Sequence, residues 1–419
     1  MIQLPPSKSI GARYLVATYF AGTLPADPVF EENEDLMVLQ RTLLEVFSDE
    51  EPIDYGDSPI DVGASGTSLR FVTAVCASCP GADYVITGTQ RLMERPMLPL
   101  VNLLKEAGAG VEILGPDNQG PYRVTGNIIK GGSFEIPGDI SSQFISAIML
   151  VAPSWEKGVS LSFTTVPVSM PYLRMTKSVM EKFNIRVDLF DDEVVVPHAK
   201  YVDPGDFKVE ADWSSAAFFY EACAISGNEV EIADLQSPMD SLQGDSHAAE
   251  LFKDLGVDSQ FNDSIAILTK KNKNWERVTK NFKDTPDLML PYAVACLCTD
   301  TKFRFDGVAH LRLKESDRLE ALKEEAGKLG YQIIIGDNHV EWKGEKTENE
   351  VEDSKESPLI DPHDDHRVAM AFAMAALKFG EIRIQHPEVV GKSFLDFWNQ
   401  IPQLGLTCSL EGDIMIVKK

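Results

Sequence analysis

The chain has 419 residues, 44% of them hydrophobic and 25% charged, with a formal net charge of -26. That length predicts two domains of roughly 200 residues, and the acidic balance sets nucleic acid and anionic membrane surfaces aside as partners. No apolar run approaches the roughly 18 residues of a membrane span, and six scattered cysteines form no disulfide framework, which points to a reducing, cytoplasmic compartment.

At the N-terminus, Lys8 and Arg13 precede an apolar stretch ending at Ala21, but Pro5-Pro6 and Thr18 break the pattern of a signal peptide. The same region opens a repeat. Six times a polar or Gly-rich loop leads into a helix of small apolar residues: Pro5-Pro-Ser-Lys-Ser-Ile-Gly-Ala-Arg13, Gly63-Ala-Ser-Gly-Thr-Ser-Leu-Arg70, Gly138-Asp-Ile-Ser-Ser-Gln-Phe144, Ala211-Asp-Trp-Ser-Ser-Ala-Ala217, Thr285-Pro-Asp-Leu-Met289 and His363-Asp-Asp-His-Arg367. With Lys8, Gly66, Ser142, Ser215, Asp287 and His366 as anchors, the steps are 58, 76, 73, 72 and 79 residues. Regular spacing of this kind marks a repeated architecture rather than chance helix caps.

Between the openings lie strand-like runs at Tyr84-Val-Ile-Thr, Gly110-Val-Glu-Ile-Leu, Ser160-Leu-Ser-Phe, Asp192-Glu-Val-Val-Val, Glu229-Val-Glu-Ile and Ile265-Ala-Ile-Leu. Second helices are predicted over Met97 to Ala107, Tyr172 to Phe183, His247 to Leu255 and Arg318 to Leu329, and a buried helix over Val368 to Leu377. Lys270 to Lys283 reads as a solvated loop and Lys343 to Pro358 as an exposed hairpin tip or loop. A break near Glu210 leaves three repeats on each side, an α/β chain of two similar halves.

The first turn of a helix presents unpaired N–H groups and the positive end of the macrodipole, so such loops are ready anion sites. Several also carry cations or hydroxyls. Pro5-Pro-Ser-Lys8-Ser9 is not a P-loop, because two prolines cannot supply the curvature that its glycines provide. Asp361-Pro-His-Asp-Asp-His-Arg367 has metal-ligand types, but Arg367 would be repelled by the ion, so the reading is a helix cap and anion site with no metal. Cys76-Ala-Ser-Cys79 has no second pair to complete a zinc site, and its sulfurs pack into the core. In His310-Leu-Arg-Leu-Lys-Glu-Ser-Asp-Arg318, a helix from Lys314 onward stacks Lys314 and Arg318 one turn apart, a repulsive pair unless an anion sits between them. Glu315 would then be free to handle protons.

In order and over nearly the whole chain, the motifs LPPSKS, SGTSLR, QRLMERP, GDISSQF, SMPY, ADWSS, TPD, LKESDR, DDHR and GKSF resemble the 5-enolpyruvylshikimate-3-phosphate (EPSP) synthase family. The resemblance implies the enolpyruvyl transferase fold, inverse α/β barrel-like, with two domains of three βαβαββ units and the active site in the interdomain cleft. It sets the halves at residues 7–210 and at 1–6 plus 211–419. It also implies transfer of the enolpyruvyl group of phosphoenolpyruvate to the 5-hydroxyl of shikimate 3-phosphate, with no metal or organic cofactor, by a cytoplasmic monomer acting on small anions.

Matching motifs carries over roles residue by residue. Asp287 and Glu315 are the proton-handling carboxylates, Asp287 the first choice as acceptor, and Lys8 assists while touching both substrates. Ser9 and Arg13 face the shikimate carboxylate; Ser141, Ser142 and Ser169 its phosphate, with Tyr172 beside them; Lys314, Asp287 and His310 its hydroxyls. Phosphoenolpyruvate is held by Lys8, the Gly66 backbone, Arg95, Gln143, Arg318, Arg367 and Lys392. Departures from the family pattern are Ala64 for a common Asn, His310 for a common Asn, and Phe71 and Leu395 for common prolines. The sister transferase acting on UDP-N-acetylglucosamine usually carries a Cys acid in a mobile loop, which no cysteine here matches. A non-catalytic anion-binding protein would gain nothing from two cleft carboxylates.

Overall fold

A helix without a polar face must be covered on every side, and this chain meets that demand in two units. The computed structural model describes residues 1–47, 59–262, 265–272, 275–346 and 357–419. It divides into an N-terminal unit, Lys8–Val209, and a C-terminal unit formed by Met1–Ser7 with Glu210–Lys419.

The N-terminal unit begins with α1 (Lys8–Ala21) and α2 (Glu34–Phe47), a repeat with no strand among the described residues. Next come β1 (Ile60–Asp61), α3 (Gly66–Ser78), β2 (Asp83–Thr87), α4 (Gln90–Met93), α5 (Leu98–Ala107), β3 (Gly110–Ile113) and β4 (Tyr122–Thr125). The last repeat of this unit is β5 (Gly132–Ile136), α6 (Ser142–Val151), β6 (Val159–Phe163), α7 (Met170–Lys182), β7 (Asp188–Leu189) and β8 (Glu193–Val196). Its sheets have strand orders β1-β2-β4-β3 and β5-β6-β8-β7. In each the first two strands are parallel and the rest antiparallel, with Phe134 opposite Leu161 and Leu161 opposite Val194. A parallel pair needs a crossover, and α3 and α6 supply it.

The C-terminal unit repeats the pattern three times. Its first repeat has α8 (Trp213–Ser226), β9 (Val230–Ala233), α9 (Ala248–Leu251), β10 (Val257–Asn262) and β11 (Ile265–Lys270). Its second has β12 (Arg277–Asn281), α10 (Met289–Cys298), β13 (Lys302–Asp306), α11 (Arg318–Lys328), β14 (Ile334–Ile335) and β15 (His339–Trp342). The third has β16 (Leu359–Ile360), α12 (His366–Met374), α13 (Ala376–Phe379), β17 (Glu381–Gln385), α14 (Phe397–Gln400), β18 (Thr407–Glu411) and β19 (Ile414–Lys418). Strand orders are β10-β11-β9, β12-β13-β15-β14 and β16-β17-β19-β18. Ile2 bridges Ile232 of β9 in parallel, so the chain's start fills the place that β12 and β16 occupy in the other two sheets.

Small side chains let α8, α10 and α12 pack together inside one apolar cluster, as α1, α3 and α6 do in the other unit. Every residue of α10 and all of α8 from Trp213 to Ala224 are buried. Aromatic rings close the gaps, with Phe252 edge-on to Tyr292 at 5.2 Å and Phe282 edge-on to Phe305 at 4.9 Å. All six predicted openings stand at helix starts: α1, α3, α6 and α12 begin on the anchor residue, α8 begins at Trp213, and a 3-10 turn Pro286–Leu288 carries Asp287 into α10.

Two expectations need correction. Lys270 to Lys283 is not all loop, since it contains β12; the strand lies at a sheet edge and buries little besides Val278, so its sequence lacks an apolar period. The helix predicted from His247 to Leu255 is broken into the short α9 between 3-10 turns Gly244–His247 and Phe252–Leu255. Most of the charged stretch from Lys343 to Pro358 lies outside the described residues.

Glu221 sits in the middle of α8 with no exposed surface, and neither carboxyl oxygen has a hydrogen-bond partner among the described residues. Burial pushes this carboxyl well above the usual range, so the folded protein holds it as the neutral acid. A raised folded pKa gives stability that is intact below the unfolded value, about 4.3, and is lost as pH rises toward the folded value, by up to about 1.4 kcal/mol per pH unit. Thermal unfolding of Glu221→Met should therefore show a midpoint above that of the parent, with a gap that widens by several degrees between about pH 5 and 8. Parallel curves would mean that Glu221 does not bind its proton in the folded state.

Candidate active site

In the C-terminal unit the openings of α8, α10 and α12 are each marked by an aspartate. Asp212 caps α8, accepting from Ser215 N at 2.9 Å and Ser215 Oγ at 2.7 Å. Asp365 caps α12, accepting from Arg367 N at 3.0 Å. Asp287 stands in the 3-10 turn ahead of α10. Caps of this kind satisfy first-turn N–H groups that would otherwise be stranded in a buried helix start.

Arg318, the first residue of α11, joins these openings. Only 1% exposed, it donates from Nε to Asp365 Oδ2 at 2.8 Å, from Nη1 to Asp287 Oδ1 at 2.7 Å and from Nη2 to Glu315 Oε2 at 3.1 Å. Arg367 Nη2 reaches the other Asp287 oxygen at 3.0 Å. Burial alone would raise the Asp287 pKa, but Arg367, Lys314 and Arg318 outweigh it and hold the carboxyl well below the usual range. Asp287 is thus an ionised carboxylate between two buried guanidinium groups.

The stretch around Lys314 differs from its expectation. A 3-10 turn runs over Ala309–Leu313, Lys314 is extended, and α11 starts only at Arg318, where the Asp317 side chain accepts from Leu319 N and Glu320 N. Lys314 and Arg318 therefore do not stack one turn apart, and Glu315 is not left free but pairs with Arg318. Lys314 still acts on Asp287 and His310 through its charge. Burial, with Lys314 second, pushes His310 down to about 4, so it is neutral at physiological pH. Lys392 lies further along, donating to the Asp364 carbonyl at 2.6 Å.

Arg13 and Arg70 of the N-terminal unit bond to hydroxyls and carbonyls where the arginines of the C-terminal unit bond to carboxylates. Arg13 is buried and donates to Thr176 Oγ1 at 2.7 Å, Ser9 O at 2.6 Å, Ser146 Oγ at 3.1 Å and Tyr172 O at 3.3 Å, which ties α1 to α6 and α7. These bonds occupy four of the five N–H donors of a guanidinium. Burial lowers Arg13 to about 10, which leaves it charged at neutral pH. Lys8 pairs with Asp35 of α2 at 3.1 Å. Ser141 caps α6, Ser142 is its first residue, and Gln143 Nε2 donates to Thr67 Oγ1 at 2.9 Å, joining the openings of α6 and α3. Ser169 precedes α7 in a left-handed conformation, φ 58°, and is buried, with Tyr172 in the turn after it.

Gly66 shows why α3 opens on glycine. A Cβ there would stand 2.5 Å from Arg95 Nη1 and 2.8 Å from Arg70 Nη1. Two buried arginines thus crowd one backbone position, and any side chain would displace them. Arg70 donates to Gly66 O at 2.9 Å and lies over the Phe144 ring at 5.6 Å. The sequence reading gave no role to Arg70, Thr67, Asp35, Asp212 or Asp365. Asp212 and Asp365 carried a signal, as cap residues inside the ADWSS and DDHR motifs; Asp35 had none, because only packing brings it to Lys8.

Among the described residues, the three groups placed to share a metal ion are Glu324, Glu325 and His363. Their contacts are those of ion pairs: Glu325 accepts from His363 Nε2 at 2.9 Å, Lys328 Nζ at 2.6 Å and Asp361 N at 3.1 Å.

Comparison with known proteins finds relatives over nearly the whole chain. The family model described as EPSP synthase (3-phosphoshikimate 1-carboxyvinyltransferase) matches residues 2–401. A 3-phosphoshikimate 1-carboxyvinyltransferase from Bacteroides fragilis is 36% identical over 406 residues, spanning 96% of this chain and 95% of the relative. One from Vibrio atlanticus is 31% identical over 429 residues, spanning 97% and 96%. A solved EPSP synthase from Acinetobacter baumannii is similar in fold, with a TM-score of 0.67 at 24% identity over 99% of this chain and 97% of that one.

The two histidines beside these clusters should separate in a titration. The hydrogen bond to Glu325 raises His363, whereas His310 stays neutral down to about 4. Ring signals in a 15N-histidine NMR titration between about pH 5.5 and 8 should move for His363 and stay fixed for His310, each assigned by its Asn variant. A His310 signal that titrates near neutrality would contradict its burial beside Lys314.

Proposed function

The chain belongs to the EPSP synthase family, and from that premise we propose how its side chains perform the family's reaction. It transfers the enolpyruvyl group of phosphoenolpyruvate to the 5-hydroxyl of shikimate 3-phosphate, releasing phosphate, in aromatic biosynthesis. The observation that carries the assignment of roles is the ionised Asp287 between Arg318 and Arg367.

The N-terminal unit supplies Ser9 and the remaining N–H of Arg13 to the shikimate carboxylate, and Ser141, Ser142 and Ser169 to its phosphate, beside Tyr172. It also offers Arg95, Gln143, Lys8 and the Gly66 backbone to phosphoenolpyruvate. The C-terminal unit supplies Asp287, Lys314 and the neutral His310 to the ring hydroxyls, and Arg318, Arg367 and Lys392 to phosphoenolpyruvate. A guanidinium fork suits phosphate and carboxylate better than an ammonium does.

Asp287 takes the hydroxyl proton as the oxygen attacks the enol carbon and the methylene carbon receives a proton, giving a tetrahedral adduct; a methyl proton is then lost as the C–O bond to phosphate breaks, with Lys8 and Glu315 the groups to hand for the proton on carbon. A carboxylate stabilised by two arginines is a weak base. When the phosphoenolpyruvate anion shares those arginines, Asp287 loses part of its stabilisation and its basicity rises. The base is thereby strengthened by the arrival of the donor substrate. The enzyme works as a cytoplasmic monomer on small anions, a reading supported by the net charge of -26, which disfavours self-association, and by six scattered cysteines, which suit a reducing compartment.

Asp287→Ala should leave shikimate 3-phosphate binding measurable by calorimetry and lower kcat at least about 100-fold, the scale of a lost general base. Near-normal phosphate release by that variant would remove Asp287 from the reaction.

A further inference from the structure

Asp245 lies in the 3-10 turn Gly244–His247 of the C-terminal unit and is 3% exposed. Its Oδ2 accepts from Ser214 Oγ in the first turn of α8 at 2.5 Å, and its Oδ1 is fully buried without a partner among the described residues. No sequence motif drew attention to it. Gln243 fixes the turn, donating to Ala211 O at 2.8 Å and accepting from Trp213 N at 2.9 Å.

The charged groups that act on it are Asp212 from the α8 cap, Asp287 from the turn before α10 and Arg367 from α12. His247 and Glu250, the titratable side chains of its own turn and of α9, are exposed, and Glu250 pairs with Lys253. Asp245 therefore lies in the field of two carboxylates and of one guanidinium that is already bound to Asp287. Desolvation, then the Asp287 charge, push it up to about 7. The Ser214 hydrogen bond works in the opposite direction, because a donated O–H favours the anion.

We propose that Asp245 is a positioning residue of the transfer reaction: held as an uncharged carboxyl it leaves Arg367 available to the phosphoenolpyruvate anion, and once ionised it competes for that arginine and repels the donor. The inference rests on the assignment of Arg367 to phosphoenolpyruvate. Because Asp245 acts through Arg367 and touches no reacting atom, the effect falls first on the KM for phosphoenolpyruvate, and any change in kcat follows from the hold of Arg367 on Asp287.

The test compares that KM in the parent, Asp245→Asn and Ser214→Ala across pH. Taking the ratio of parent to variant at each pH cancels the ionisation of phosphoenolpyruvate itself. The parent-to-Asn ratio should rise at least about fivefold between pH 6 and pH 8.5, as the parent acquires a charge that Asn cannot. In Ser214→Ala, which removes the bond favouring the anion, the same rise should shift to higher pH. Ratios that stay flat with pH in both variants, or an effect confined to kcat, would overturn the proposal and leave Asp245 a packing residue. A parent that releases no phosphate at any pH would instead count against the reading of the reaction itself, and parent turnover at pH 6 separates the two failures.

Discussion

The C-terminal site depends on one guanidinium. Arg318 is buried with three carboxylates, Asp365, Asp287 and Glu315, each on a different segment. Removing one partner from a buried charge cluster strands the others at a cost of about 3–5 kcal/mol. That coupling makes the positions of the α10 opening, the α12 cap and the loop before α11 a single property. It also explains why Asp287 remains an anion although burial opposes it: the charges that hold the structure together are the ones that set its protonation.

The two units build similar helix openings with opposite electrostatics. In the N-terminal unit, Arg13 and Arg70 bond to hydroxyls and backbone carbonyls. Neutral acceptors fix geometry without cancelling charge, so these cations keep their field for an anion. In the C-terminal unit, five carboxylates, Asp212, Asp245, Asp287, Glu315 and Asp365, face Arg318, Arg367 and Lys314. Asp212 and Asp365 are compensated by the first-turn N–H groups and dipoles of α8 and α12. Protonation of Asp245 removes one of these negative charges and shifts the balance toward the three cations. In the proposed assignment one unit concentrates charge recognition and the other combines it with proton chemistry.

Much of the fold was legible because the repeat is written in helix caps. Ser65, Ser141, Asp212 and Asp365 each satisfy first-turn N–H groups, so the six openings stand out as polar breaks before small apolar runs. β12 was not legible, since a polar edge strand needs only one inward residue. The start of α11 at Arg318 was legible, with Asp317 as its cap and Glu320 three residues on; what the charge run Lys314-Glu315 concealed is that the segment before the cap is extended and not helical. The site residues were read from motifs, and the structure adds what a motif cannot carry: which charges neutralise which. Asp35 beside Lys8 and Asp245 behind Asp287 arise only from packing between distant segments.

The two arginines that bind Asp287 are not equivalent, and the difference bears on how an anion enters. Arg318 is held at three nitrogens, with Nε and, at 3.5 Å, Nη2 on Asp365, which is itself fixed by Arg367 N and by Ser316 Oγ at 3.2 Å. Arg367 makes its side-chain hydrogen bond through Nη2 alone, and its buried Nε has no partner among the described residues. Reorienting Arg318 would break a cluster, whereas reorienting Arg367 breaks one bond. In the proposed assignment an arriving phosphate or carboxylate draws first on Arg367, and Asp287 keeps its hold on Arg318 while it loses the other. A base that must stay in place yet gain proton affinity needs this asymmetry: a rigid arginine to position it and a second one that an anionic substrate is able to recruit.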